Sequence, residues 1–145
     1  MIEIRKTQAE DFADVLSLLE QLWPNQRLDA DALRRVFLKA LASDEQVYLS
    51  ACDGSQVVGF ASLTVKNNLW QAGNLGHVDE LVVDATRRGQ KIGSRLLESI
   101  TEEARRRHCA RLELDSAFYR EEAHAFYERL GFDRRAFLFS RQLAT

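Results

Sequence analysis

Cysteine, proline and long apolar runs are all scarce in this 145-residue chain, and each scarcity closes off a class of protein. Cys52 and Cys109 are too few and too far apart for a disulfide scaffold or a metal framework, so both read as small apolar side chains and no metal is expected. No apolar stretch approaches membrane-spanning length and no apolar leader opens the chain. The expectation is therefore a soluble cytoplasmic protein without a membrane partner. Basic residues are not in excess: 20 Lys and Arg against 22 Asp and Glu leave a net charge of −2, which supplies no global field for nucleic acid. Repeats, linkers and low-complexity segments are missing too, which leaves one domain over residues 1–145. A hydrophobic content of 46% is enough to give such a domain a core without staples.

What is present is a regular order of elements. Ile2 to Arg5 alternates as a half-buried strand. Thr7 with Glu10 has capping-box spacing ahead of Phe12, Val15, Leu16, Leu19 and Leu22, and Pro24 ends that helix near Trp23. Asp29 or Asp31 caps a second helix with Leu33, Val36, Phe37, Ala40 and Leu41 as its buried stripe. Val47 to Ala51 and Val57 to Val65 flank Asp53-Gly54 as a hairpin, and Leu75 to Val83 forms a third long strand after a polar connection containing Trp70. Ile92, Leu96, Leu97, Ile100 and Ala104 make the next helix amphipathic, with Arg105, Arg106 and Arg107 complementing the dipole at its end. Ala110 to Asp115 is a strand, Glu121 to Leu130 a short helix closed by Gly131, and Phe132 to Leu143 supplies the last one or two strands. This mixed order predicts a single α/β or α+β domain around a mixed sheet.

Between the third strand and the amphipathic helix lies Asp84-Ala85-Thr86-Arg87-Arg88-Gly89-Gln90-Lys91-Ile92-Gly93. It reads as an anion-binding turn. Gln90, Lys91, Ile92, Gly93 and Ser94 would present free N–H groups at a helix start, with Arg87, Arg88 and Lys91 adding positive charge. Neither the six-residue Gly-to-Gly P-loop spacing nor the G-x-G-x-x-G dinucleotide pattern is present. The pattern Arg88-x-x-Lys91-x-Gly93 instead resembles the R/Q-x-x-G-x-G/A pyrophosphate loop of the GNAT superfamily of acyl-coenzyme A-dependent N-acetyltransferases, with Lys91 where that loop prefers glycine. A left-handed backbone is uncomfortable for lysine, although its N–H survives the exchange. Downstream, Ala123-His124-Ala125-Phe126-Tyr127-Glu128-Arg129-Leu130-Gly131-Phe132 is similar to the A-x-x-F-Y-x-x-x-G-F segment of the same superfamily. Gly76 to Leu143, the more closely matching part of the chain, resembles the small aminoalkylphosphonate N-acetyltransferases, especially in Glu80-Leu81-Val82-Val83 and Ala123-His124.

The resemblance implies a GNAT-like fold, α/β (α+β), with a mixed, mostly antiparallel sheet of six to seven strands and about four helices. It also implies an acetyl-CoA site: pyrophosphate on Arg88, Gly89, Gln90, Lys91, Ile92, Gly93 and Ser94, and pantetheine paired with the backbone of Leu81, Val82 and Val83. In such a fold the first two helices would flank the acceptor, with Trp23, Asn25, Phe37 and Lys39 as candidate neighbours.

Acyl transfer needs a neutral amine, and an ordinary alkylammonium at pH 7 lies roughly 4–5 kcal/mol from that state. His77, Asp79 and Glu80 are the candidates to take its proton. Strict strand alternation puts His77 and Asp79 on one face and Glu80 on the other, so the three would not all face the amine. Tyr127 matches the superfamily's usual general acid for the departing thiolate, with Tyr119 and His124 as weaker alternatives. Direct attack by the amine needs no acyl-enzyme, and neither cysteine falls in an activating motif. The resemblance favours a small primary amine bearing an anion, an aminoalkylphosphonate, with Arg120, Arg134, Arg135 and Arg141 as candidates for the anion. Aminoglycoside, polyamine and protein-lysine acceptors stay open, as does a coenzyme A-binding regulatory module without catalysis. A homodimer suits a small enzyme with exposed terminal strands.

Overall fold

The alternation of Ile2–Lys6, Gln46–Asp53, Gln56–Asn68 and Gly73–Val83 folds into four successive antiparallel strands, β1, β2, β3 and β4, in the computed structural model, which describes residues 1–143. A fifth strand, β5 (Cys109–Leu114), lies beyond β4 and completes the order β1-β2-β3-β4-β5. The β4 to β5 connection runs through a helix, the kind of crossover that sets neighbours parallel and makes the sheet mixed. Among the described residues the sheet has five strands, not six or seven, because residues 132–143 form no strand. Apolar alternation alone does not make a strand: it also needs a neighbour to take its backbone hydrogen bonds, and no ladder includes this segment.

Two compact units result, Met1–Glu113 and the part from Leu114 onward. In the first, α1 (Phe12–Leu22) and α2 (Ala30–Leu41) cover one face of the sheet, here called the front. Phe12, Val15, Leu18, Leu19 and Phe37 bury against Phe60 and Val82 there. Asp29 caps α2 by accepting from the Ala32 N–H at 3.1 Å. Val36 was expected in the buried stripe of α2 but is exposed, because the stripe narrows to Phe37 and Ala40. The capping of the first helical turn is also displaced by one residue. The Gln8 N–H donates to Asp11 Oδ2 at 2.7 Å, while the Thr7 hydroxyl turns inward to Ser50 Oγ at 2.7 Å. Asp11 is drawn there by Arg5, whose guanidinium donates to both its oxygens, at 2.8 and 2.9 Å, and holds its carboxyl below the usual range.

The back face carries α3 (Ile92–Arg106), whose Ile92, Leu96, Leu97, Ile100 and Ala104 are buried. Its approach depends on Gly59, where an added Cβ would lie 2.9 Å from Leu96 Cδ1. The arginines at its end engage the preceding turn: Arg105 pairs with Glu102, and Arg106 Nη1 donates to Glu103 Oε1 at 2.6 Å.

The second unit contains α4 (Glu121–Arg129). Gly131, at φ +93°, ends it as expected. Its N–H bonds Glu128 O at 3.1 Å and the Phe132 N–H bonds Tyr127 O at 3.0 Å, the paired closure that a left-handed residue permits after a helix. No helix among the described residues is long and apolar enough to cross a membrane.

Candidate active site

The front face changes character along its length. An aromatic series runs from Phe12 to Phe37 (ring centroids 5.2 Å), to Tyr48 (5.8 Å) and to Phe60 (5.1 Å), so Phe37, a candidate acceptor neighbour, is a core residue. From Tyr48 the face turns polar. Tyr48 is directly opposite Ser62, and Ser62 is directly opposite Glu80. One row further out, Gln46 faces Thr64 and Thr64 faces His77.

These pairings correct the expectation that Glu80 points away from His77. Ser62 pairs with Glu80 and Leu63 with Val78, so Asp79 is an extra residue on β4 with no partner on β3. Such a bulge changes the phase of every side chain beyond it. His77 and Glu80, three positions apart, therefore share the front face, and Asp79 turns the same way. His77 Nδ1 lies 2.8 Å from Asp79 Oδ1, and the Thr64 hydroxyl donates to Asp79 Oδ2. All three candidate proton acceptors gather at one place.

Glu80 is held from two sides. The Ser62 hydroxyl donates to its carboxylate, and the Glu80 N–H donates back to Ser62 Oγ at 2.8 Å. Burial pushes the Glu80 carboxyl up, the Ser62 hydroxyl pulls it down, the Asp79 charge raises it and His77 lowers it; the balance is upward. Burial, with the Glu80 and Asp79 charges, pushes the Tyr48 phenol up to about 12, so Tyr48 stays neutral. The cluster is an anionic, partly desolvated patch, suited to attracting an ammonium group and accepting its proton. Sequence reasoning passed over Tyr48, Ser62 and Thr64. For Ser62 and Thr64 the signal was hydroxyl residues in the otherwise apolar run of β3, where Ser62 is completely buried.

At the end of β4, Asp84 caps a short 3-10 turn by accepting from the Thr86 N–H at 3.1 Å. Arg87 is not available to a ligand as expected: its Nη1 donates to Asp53 Oδ2 at 2.7 Å, which pins the turn to the β2–β3 hairpin. Arg88, Gly89, Gln90 and Lys91 are exposed. Gly89 has φ +83° and Lys91 has φ +62°, so the loop does demand left-handed geometry at the lysine. That explains the preference for glycine in the resembling loop. The first bond of α3 runs from the Arg95 N–H to Lys91 O at 3.1 Å, so the N–H groups of Ile92, Gly93 and Ser94 point out of the helix end. Outward N–H donors beside exposed Arg88 and Lys91 are the features that an anion-binding turn requires. Just upstream, Leu81, Val82 and Val83 pair through β3 with Ala61, Phe60 and Gly59, and Val82 is buried in the front core.

Within the second unit, Tyr127 is half-buried between Phe126 (5.4 Å) and Phe132 (6.0 Å). Burial raises its phenol pKa and Arg120 opposes that shift, so the phenol is protonated at neutral pH. The other candidates differ. Tyr119 is 84% exposed, and His124 Nε2 lies 2.8 Å from Ala117 O. Arg134 donates to both Glu128 oxygens, at 3.0 and 3.1 Å, which commits it. Cys52 is buried in the core and Cys109 half-buried. Among the described residues no group of three or more His, Cys, Asp or Glu is placed to hold a metal ion.

Comparison with known proteins places these features. A family model described as the acetyltransferase (GNAT) family matches residues 12–132. The aminoalkylphosphonate N-acetyltransferase of Salmonella typhimurium is 38% identical over 141 residues, covering 97% of this chain and 91% of that protein. Glucosamine 6-phosphate N-acetyltransferase 1 of Oryza sativa is 34% identical over 121 residues, covering 81% and 72%. Among solved structures, one titled a transcriptional regulator, from Bacillus halodurans, superposes with a TM-score of 0.91 over 99% of this chain and 100% of its own, at 23% identity.

Proposed function

The chain belongs to the acetyltransferase (GNAT) family, whose cosubstrate is acetyl-CoA, and on that premise we propose that it acetylates the primary amine of a small molecule bearing a phosphorus oxyanion. The acceptors in the names of the two relatives, an aminoalkylphosphonate and glucosamine 6-phosphate, have that chemistry in common. The identity of 38% over nearly the whole chain favours an aminoalkylphosphonate.

The observation that carries the mechanism is the bulge at Asp79, which collects His77, Asp79 and Glu80 on one face. Glu80 is the general base. Burial raises its proton affinity above that of an ordinary carboxylate, and the negative charge of Asp79 draws the ammonium in. His77 orients against Asp79 and shares the proton transfer. The neutral amine then attacks the thioester carbonyl directly, forming the C–N bond as the C–S bond breaks. Tyr127, protonated at working pH, gives its proton to the departing sulfur, and the proton that the new amide nitrogen sheds restores it through solvent. A thiolate is less basic than a tyrosinate by about 1.5 pKa units, so that transfer is uphill by roughly 2 kcal/mol unless it is concerted with bond breaking, a small part of an enzymatic barrier. The N–H groups of Ile92, Gly93 and Ser94, with Arg88 and Lys91, would hold the diphosphate, and the backbone of Leu81, Val82 and Val83 the pantetheine arm.

Thiol release from acetyl-CoA over a panel of amines tests this reading. Aminomethyl- and 2-aminoethylphosphonate and glucosamine 6-phosphate should exceed their uncharged amine counterparts at least about tenfold in kcat/KM, the effect of one charge-assisted contact. Release with polyamines, aminoglycosides or lysine peptides in preference would replace the acceptor. Coenzyme A binding without release above background with any amine would leave a binding module instead.

A further inference from the structure

The turn that precedes α3 is anchored at both ends. Upstream, the Asp84 N–H donates to Val58 O on β3 at 2.8 Å, the Ala85 N–H to Gln21 Oε1 on α1 at 2.9 Å, and Arg87 Nη1 to Asp53 Oδ2, where β2 ends, at 2.7 Å. Downstream, Ile92 is buried beneath α3, and Arg95 Nη2 donates to Ile2 O on β1 at 3.0 Å. Between these anchors Arg88, Gly89, Gln90 and Lys91 are exposed, and Lys91 keeps its left-handed φ of +62°. A lysine stays in that region only where the surrounding structure over-determines its backbone. The anchors on either side supply that constraint.

We infer that Asp53 is a positioning residue for the cofactor: by holding Arg87 it fixes the turn in the backbone conformation that aims the N–H groups of Ile92, Gly93 and Ser94, with Arg88 and Lys91, at one diphosphate. The inference rests on the reading of this turn as the diphosphate seat. Asp53 acts through Arg87, since a carboxylate has no favourable contact to offer a diphosphate. The hydrogen bond and charge of Arg87 hold the Asp53 carboxyl below its usual range, so the pair is ionised at neutral pH. The sign of one substitution separates this role from two others. Coenzyme A is an anion, so by field alone the loss of a carboxylate near its seat strengthens binding. If Arg87 were itself a ligand of the phosphates, freeing it from Asp53 would strengthen binding as well. Positioning has the opposite effect, because an unpinned turn must be ordered at the moment of binding.

Calorimetry of coenzyme A with the full chain tests the inference, with far-ultraviolet circular dichroism to show that each variant is folded. Asp53→Asn should raise Kd about two- to fivefold, the worth of one exposed ion pair, against the direction set by its charge. Arg87→Gln should raise it too, and the double variant should bind no more weakly than Arg87→Gln alone, as for two residues acting as one unit. The KM for acetyl-CoA should follow Kd, with kcat at saturation unchanged, which a general loss of structure would not give. Arg105→Gln, at the far end of α3 in an ion pair with Glu102, is the control for lost charge and should leave Kd unchanged. Arg88→Gln tests the seat itself and should weaken binding. If it does, and Asp53→Asn leaves Kd unchanged or lowers it, the positioning role is overturned while the seat stands. If neither Arg88→Gln nor Asp53→Asn weakens binding, the turn is not the seat and the inference falls with it.

Discussion

Replacing Ser62 by alanine isolates the control of Glu80. The Ser62 hydroxyl donates to the carboxylate and so favours its ionised form. Without it Glu80 binds its proton more tightly, so the acid limb of kcat/KM must move to higher pH. The other groups facing Glu80 keep their signs: Asp79 raises its proton affinity, His77 lowers it, and Tyr48, pushed up to about 12, carries no charge in the working range. A hydrogen bond to a charged group is worth about 1.5–3 kcal/mol, so on the acid limb, where rate follows the ionised fraction, the loss is about ten- to hundredfold. It shrinks toward the alkaline plateau. The assay is thiol release at saturating acetyl-CoA from pH 5 to 9 with the best amine of the panel, and Ser62→Thr, which keeps the hydroxyl, should restore the limb. Ser50→Ala is the control, because Ser50 is equally buried and bonded to Thr7 but does not touch Glu80. A limb that stays in place in Ser62→Ala, or moves as far in Ser50→Ala, refutes Glu80 as the base that sets it.

Three further outcomes are expected. Tyr127→Phe should lower kcat about a hundredfold, the lower end for general acid catalysis since thiolate departure needs least help, with the calorimetric Kd for acetyl-CoA unchanged; equal turnover would remove Tyr127 from the chemistry. Gly59→Ala places a Cβ 2.9 Å from Leu96 Cδ1 and 3.2 Å from Ala51 Cβ, overpacking that costs about 1–3 kcal/mol and should lower the thermal midpoint by at least about 3 °C. Lys91→Gly relieves a left-handed lysine, a gain of about 1–2 kcal/mol partly offset by the flexibility of glycine in the unfolded chain. Its thermal midpoint should rise, and coenzyme A binding should become less sensitive to salt as one cation is lost; a lower midpoint would mean that the lysine side chain stabilises the turn.

What the sequence made legible, and what it hid, divides along the range of the interactions involved. The first four strands, the helices, the Asp53-Gly54 hairpin and the closure at Gly131 depend on neighbours within a few residues, and each lies within a residue or two of where periodicity and capping put it, apart from a longer reach of β3. The turn before α3 was legible for the same reason, down to the left-handed backbone at Lys91. The cluster of candidate proton acceptors was misread because its geometry depends on a parity. Alternation is a local rule, and it holds on either side of Asp79, yet one residue left unpaired by β3 reverses it for everything beyond. Nothing in His77-Val78-Asp79-Glu80 marks the bulge, since it arises from how β4 pairs with β3, Glu80 with Ser62 but Val78 with Leu63. The last segment failed in the opposite direction. Residues 132–143 were read as strand, but a strand is a property of a pair of segments, and no ladder among the described residues includes this one. Thr7 yielded its capping role for a related reason: a partner 43 residues away, Ser50, competed for its hydroxyl. The candidate cluster thus sits where non-local pairing overrides local pattern, at the bulge that gathers His77, Asp79 and Glu80.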